Sequence, residues 1–115
     1  MLDTDVNDLE QIEMSIANAK HIIERGQAIE RLENNEDFKK LITDDYLSAN
    51  VIRLVNFKAD ASQQSQADQE CIEKQLSAIA FFNQFILYLK TAGCHAQLAL
   101  DRDKEEREQI LAGGN

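Results

Sequence analysis

Two cysteines, two histidines and several adjacent carboxylates are the side chains of this sequence whose types could do chemistry. A thiolate beside a histidine can serve as nucleophile or metal ligand, but Cys94-His95 is an adjacent pair, and adjacent side chains diverge on a helix. Cys71 and Cys94 fall in what reads as one continuous helix, where 1.5 Å rise per residue sets them roughly 35 Å apart, beyond disulfide reach. His21 and His95 have no arrangement of a Ser or Cys together with a carboxylate that the sequence places beside them for acid–base work. Asp44-Asp45 and Glu105-Glu106 lie in polar segments where nothing would raise a pKa. The sequence contains no glycine-rich phosphate loop, no Glu-x-x-His and no Cys-x-x-Cys. The expectation is a non-enzymatic protein with no catalytic residue, metal or cofactor.

The elements that would have to position any site are helices. The 115 residues include no proline and four glycines, two of them, Gly113 and Gly114, at the C-terminal tail. Proline inside a helix costs about 3 kcal/mol and glycine about 1, so a long run that avoids both reads as helical. Length allows one domain, 1–115, and 43% apolar residues are too many for a disordered chain.

Twelve basic residues stand against 21 acidic, a net charge of −9. Phosphodiester binding needs clustered Lys and Arg, so direct nucleic-acid binding is not expected, and an acidic surface repels anionic membrane. No apolar run approaches the roughly 20 residues that span a bilayer. Met1-Leu2-Asp3-Thr4-Asp5 is acidic where a signal peptide would be basic and then apolar, which points to synthesis in the cytoplasm.

A first helix is expected over about 5–33, capped by Asp3, Thr4 or Asp5, with apolar residues at Leu9, Ile12, Ile16, Ala19 and Ile23 in alternating steps of three and four. Beyond Ile23 the strict heptad positions fall on Gly26 and Glu30, so this seam suits a small bundle better than a long coiled coil. Asn34-Asn35-Glu36-Asp37 favours a cap and a new start. Two short helices follow, about 36–43 and 48–58, separated by a polar turn at Asp44-Asp45-Tyr46-Leu47, with Ser48 as the second N-cap. A loop is expected over about 59–66, where glutamine and serine replace large apolar residues.

A long helix, about 67–111, then carries Ile72, Leu76, Ile79, Phe82, Ile86, Leu89, Gly93, Ala96 and Leu100 at steps of three and four. It would be roughly 65 to 70 Å long. Around its middle Phe81, Phe82, Phe85, Ile86, Leu87, Tyr88 and Leu89 are apolar almost all round, and such a helix is covered on several sides. Gly93 and Ala96 lack bulk, so another backbone could approach there. From Asp101 onward the helix is highly charged and is expected to project into solvent or onto a partner, adding little to the fold. The interface candidates are therefore Phe81, Phe82, Phe85, Leu87, Tyr88, Gly93, Ile110 and Leu111.

The order Ile29-Glu30-Arg31-Leu32-Glu33-Asn34-Asn35-Glu36-Asp37-Phe38-Lys39-Lys40-Leu41-Ile42, then Tyr46-Leu47, Val51-Ile52-Arg53-Leu54-Val55 and Lys58-Ala59-Asp60 before the glutamine-rich connector, resembles small all-helical proteins encoded in tailed-bacteriophage genomes. The resemblance covers nearly the whole chain, transfers no functional residue, and implies a phage protein of the virion-assembly class. The expected fold is all-α: an elongated antiparallel hairpin of two long helices, the first against the start of the second, with two short helices packed between. The expected function is that of a structural or assembly protein of a tailed-phage virion. It would be made in the host cytoplasm and pack against itself, as a homo-oligomer, or against other virion proteins. The rival expectation is an acidic phage-encoded inhibitor that imitates nucleic acid and binds a host enzyme.

Overall fold

A computed structural model describes residues 3–113, with side chains described from Val6 onward. The caps expected at Asp3, Thr4 and Asp5 thus concern side chains outside the described residues, as does Gly114. The described residues are helical almost throughout and include no strand. Helix α1 spans Asp3–Glu33 and α2 Glu36–Phe38; a π-helical stretch Lys39–Ala49 leads into α3, Asn50–Ala59. A 3-10 turn, Ala61–Gln63, precedes α4, Gln66–Gly113. The chain divides into two compact units, one made of α1 to Ile29 with α4 from Leu89, the other of Glu30–Tyr88.

In the first unit α1 lies antiparallel to the latter part of α4. Ile12, Ile16 and Ala19 bury themselves with Ala96 and Leu100, and Ile22, Ile23 and Ile110 pack at the margin of that cluster. Two glycines meet where the helices cross. A Cβ built on Gly26 would stand 3.1 Å from the Leu89 carbonyl oxygen and 3.3 Å from the Gly93 Cα. The heptad stripe of α1 therefore continues through Gly26, where the absence of a side chain brings two backbones together and offsets the roughly 1 kcal/mol that glycine costs a helix.

Two expectations are corrected here. The first helix packs against the latter part of the long helix and not its start, because Gly26, Gly93 and Ala96 form the matching small-residue track. The charged end beyond Leu100 is also part of the fold: the Ser15 hydroxyl donates to the Asp103 carboxylate at 2.6 Å, Arg107 lies 3.5 Å from Glu13, and Ile110 joins the apolar cluster. Asp103 and Arg107, one turn apart on α4, each take a partner on α1.

In the second unit Leu54, only 2% exposed, packs with Ile72 and Ile79, and Tyr46, Leu47, Val51 and Leu76 close around them. Asn35 opens this unit as an N-cap, its side-chain oxygen accepting from the Phe38 N–H at 3.0 Å. No turn follows at 44–47. Residues 36–59 form one uninterrupted helical run whose middle closes i→i+5. The apolar spacing accounts for it: Phe38, Ile42, Leu47 and Val51, all half-buried, recur at steps of four, five and four, wider than an α-turn. Ser48 is not an N-cap. Its hydroxyl donates to the Thr43 carbonyl at 2.8 Å, in register with the wide turns.

The glutamine-rich connector is a capping device. The Gln64 and Gln69 amides both donate to the Lys58 carbonyl, at 3.0 and 3.1 Å, and reach the Asp60 and Gln63 carbonyls as well, each at 2.7 Å. At Lys58 they satisfy an acceptor that the end of α3 leaves without an intrahelical partner, and at Asp60 and Gln63 they tie down the turn that follows. The Asp60 carboxylate accepts from the Ser62 hydroxyl and N–H, which hold its pKa below the usual carboxylate range. The Ser65 hydroxyl oxygen then accepts from the Asp68 N–H at 3.1 Å, opening α4.

Candidate interaction surface

In the second unit apolar side chains stay uncovered at Leu41, Ile52, Val55 and Phe57 and along α4. Phe81, Phe85 and Tyr88 are 69%, 50% and 59% exposed, although α4 buries Ile72, Ile79 and Ile86 on another face. Their spacing, i, i+4 and i+7, puts all three rings on one stripe. The same stripe runs back through Ala78, Lys74 and Cys71, each also exposed, at steps of four and three. Lys74, Ser77, Ala78 and Phe81, with Glu70 and Glu73, line a shallow depression where Ala78 leaves space beside the Phe81 ring.

The remaining interface candidates go elsewhere. Phe82 is 38% exposed and its ring stands nearly perpendicular to that of Tyr46, with centroids 5.8 Å apart, so it belongs partly to the core. Leu87 is exposed, but two residues beyond Phe85 it points to the opposite side of α4. Gly93 and Ile110 are engaged with α1, and Leu111 stays exposed near the end of α4. Of eight candidates, the structure thus gathers Phe81, Phe85 and Tyr88 on one uncovered stripe. Cys71, Lys74 and Ala78 were missed as part of it. The signal was present as a second series of three- and four-residue steps, displaced by one or two residues from the buried series.

Charge around the stripe is mixed. Glu73 stands 3.7 Å from the Lys58 ammonium, and Lys74 is flanked by Glu70 and Ser77. On α3, Ile52 and Val55 are exposed, and the Arg53 guanidinium lies over the Phe57 ring at 5.6 Å while bonding to the Asn50 side chain. Cys71 and Cys94 are free and exposed, and both histidines are exposed. Among the described residues no group of three His, Cys, Asp or Glu is placed to hold a metal ion, no buried side-chain polar atom lacks a partner, and no helix is long and apolar enough to cross a membrane. What this surface can do is bury aromatic area against another macromolecule.

Compared with known proteins, the chain matches no family model, no curated relative and no solved structure.

Proposed function

We propose that this chain is a non-enzymatic structural or assembly protein that acts by packing a helix face against protein partners, and that its setting is the virion of a tailed phage. The observation that carries the first half is the stripe of Phe81, Phe85 and Tyr88, exposed on a helix that buries Ile72, Ile79 and Ile86 on another face. Rings left in water on a well-folded helix mark an interface, since contiguous exposed apolar area is unfavourable unless a partner covers it. The phage setting is supported by the resemblance at residues 29–42, 46–47, 51–55 and 58–60.

Mass spectrometry of purified particles, from the phage whose genome encodes the chain, tests the proposal. Many copies per particle are expected. Absence from particles, with a host enzyme co-purifying and inhibited, would replace it with the acidic-inhibitor reading. That reading needs carboxylates spaced like phosphates on one contiguous face, whereas the uncovered stripe of α4 is aromatic.

A further inference from the structure

We propose that the stripe of α4 from Cys71 to Tyr88 pairs two copies of this chain, with the two α4 helices antiparallel. The pairing rests on the reading of this face as a protein interface, and gives it an occupant and a direction. Cys71, Lys74, Ala78, Phe81, Phe85 and Tyr88 alternate steps of three and four, the repeat by which one helix presents a seam to another. All six are exposed, while the neighbouring seam of Ile72, Leu76 and Ile79 is already used inside the chain. Lys74, Ser77, Ala78 and Phe81 sit at i, i+3, i+4 and i+7, and the depression they line is the four-sided hole that receives a knob from a facing helix.

Side-chain size and charge select the direction. Laid antiparallel with Ala78 facing the other copy's Phe81, the stripe also sets Lys74 opposite Phe85 and Cys71 opposite Tyr88. Each ring then meets a small side chain or a lysine, whose methylene stem covers the ring and whose ammonium is attracted to its face. The neighbouring Ser77 and Gln84 are uncharged, so no like charges are forced together at the centre. A parallel, in-register pair would instead set Lys74 against Lys74, Ala78 against Ala78 and ring against ring, combining repulsion with a void. The stripe offers only roughly 400 Å² per copy, short of a standard interface, so the pairing is weak and reversible. Because each copy carries a net charge of −9, added salt screens their mutual repulsion and tightens it.

Sedimentation of the full chain from about 1 μM to about 1 mM should show the mass rising toward that of a dimer, with the midpoint moving to lower concentration in higher salt. Phe81→Glu, at a position 69% exposed, should keep the helical spectrum and melting temperature while raising the dissociation constant by at least about tenfold. Direction is read by oxidation: a Cys94→Ser chain should stay uncrosslinked, and adding Tyr88→Cys should yield a covalent dimer through Cys71 of the second copy. A monomer at all concentrations, a dimer indifferent to Phe81→Glu, or a Cys71–Cys71 crosslink in the Cys94→Ser chain would overturn the antiparallel pairing. A monomer that still enters particles through Phe81 would remove the pairing and leave the assembly role standing. A Phe81-dependent dimer absent from particles would support the pairing and remove the virion role.

Discussion

The two units hold α4 by opposite means. Around α1 small residues set the approach beside the buried Ile12, Ile16 and Leu100: Gly26 lies on Gly93, Ala19 and Ala96 are buried, and Ser15 and Glu13 reach Asp103 and Arg107 at the edge. Around α3 it is made with bulk, Leu54 packing into Ile72 and Ile79 with Tyr46 and Leu47 closing over them. Backbones brought into contact leave little room for adjustment, so the first unit depends on having nothing at a few positions. Bulky side chains repack, so the second depends on volume and tolerates shape. The bulk-packed unit is also the one that leaves rings in solvent, since it supplies apolar side chains on more faces of α4 than its partner run covers.

The sharpest way to break the second unit is to remove volume. Leu54→Ala deletes the most buried side chain described and should cost about 3 kcal/mol, read as a lowered urea midpoint with an unchanged slope. A cost near that of an exposed position would mean that α3 does not depend on this cluster.

The converse applies at the helix crossing, where adding volume is the damaging change. Gly26→Leu forces a side chain onto the Leu89 carbonyl and the Gly93 Cα, both backbone atoms that cannot rotate aside, and should cost about 2 to 3 kcal/mol despite leucine's better helix propensity. At Gly113 a Cβ meets nothing within 4 Å, so Gly113→Ala should leave thermal melts unchanged or slightly raised. Equal responses at the two glycines would refute the close crossing.

Ending the chain after Leu100 tests whether the charged segment belongs to the first unit. It removes Ile110 from the cluster together with the partners of Ser15 and Glu13, and should cost about 2 kcal/mol, mostly from apolar burial because the exposed ion pair contributes little. Hydrogen exchange should accelerate in the first half of α1 and leave α3 unaffected. Unchanged exchange in α1 would mean that the segment only decorates the surface.

The smallest expected effect is at the connector. The Ser62 hydroxyl and N–H stabilise the charged Asp60 carboxylate, so its pKa is lower folded than unfolded. Stability from this group is present above the unfolded carboxylate pKa of about 3.9 and is lost as pH falls through the lower folded value. Asp60→Ala should therefore melt slightly below the native chain at neutral pH, and the gap should close in acid. A gap that widens in acid would contradict the assigned hydrogen bonds.

Residue types by themselves determined that this protein is helical and where its long helices run, because the absence of proline and the three-and-four periodicity are local properties that act wherever the chain is placed. They also marked Phe81, Phe82, Phe85, Leu87 and Tyr88 together as more than one packed face holds, without separating those the fold covers. What they could not determine was which half of α4 receives α1, since two stretches of apolar stripe look alike until Gly26 and Gly93 are seen to match across space. The wide turns at Lys39–Ala49 were hidden for a related reason: Asp44-Asp45 reads as a turn in isolation, and only the pull of Leu47 and Val51 toward one buried face keeps the run helical. The glutamines of the connector became caps only once the end of α3 was near enough to use them, and Asp103 and Arg107 became structural only once α1 stood opposite. Periodicity is written along one chain; the choice of partner depends on how two surfaces fit, and that fit exists only in the folded molecule.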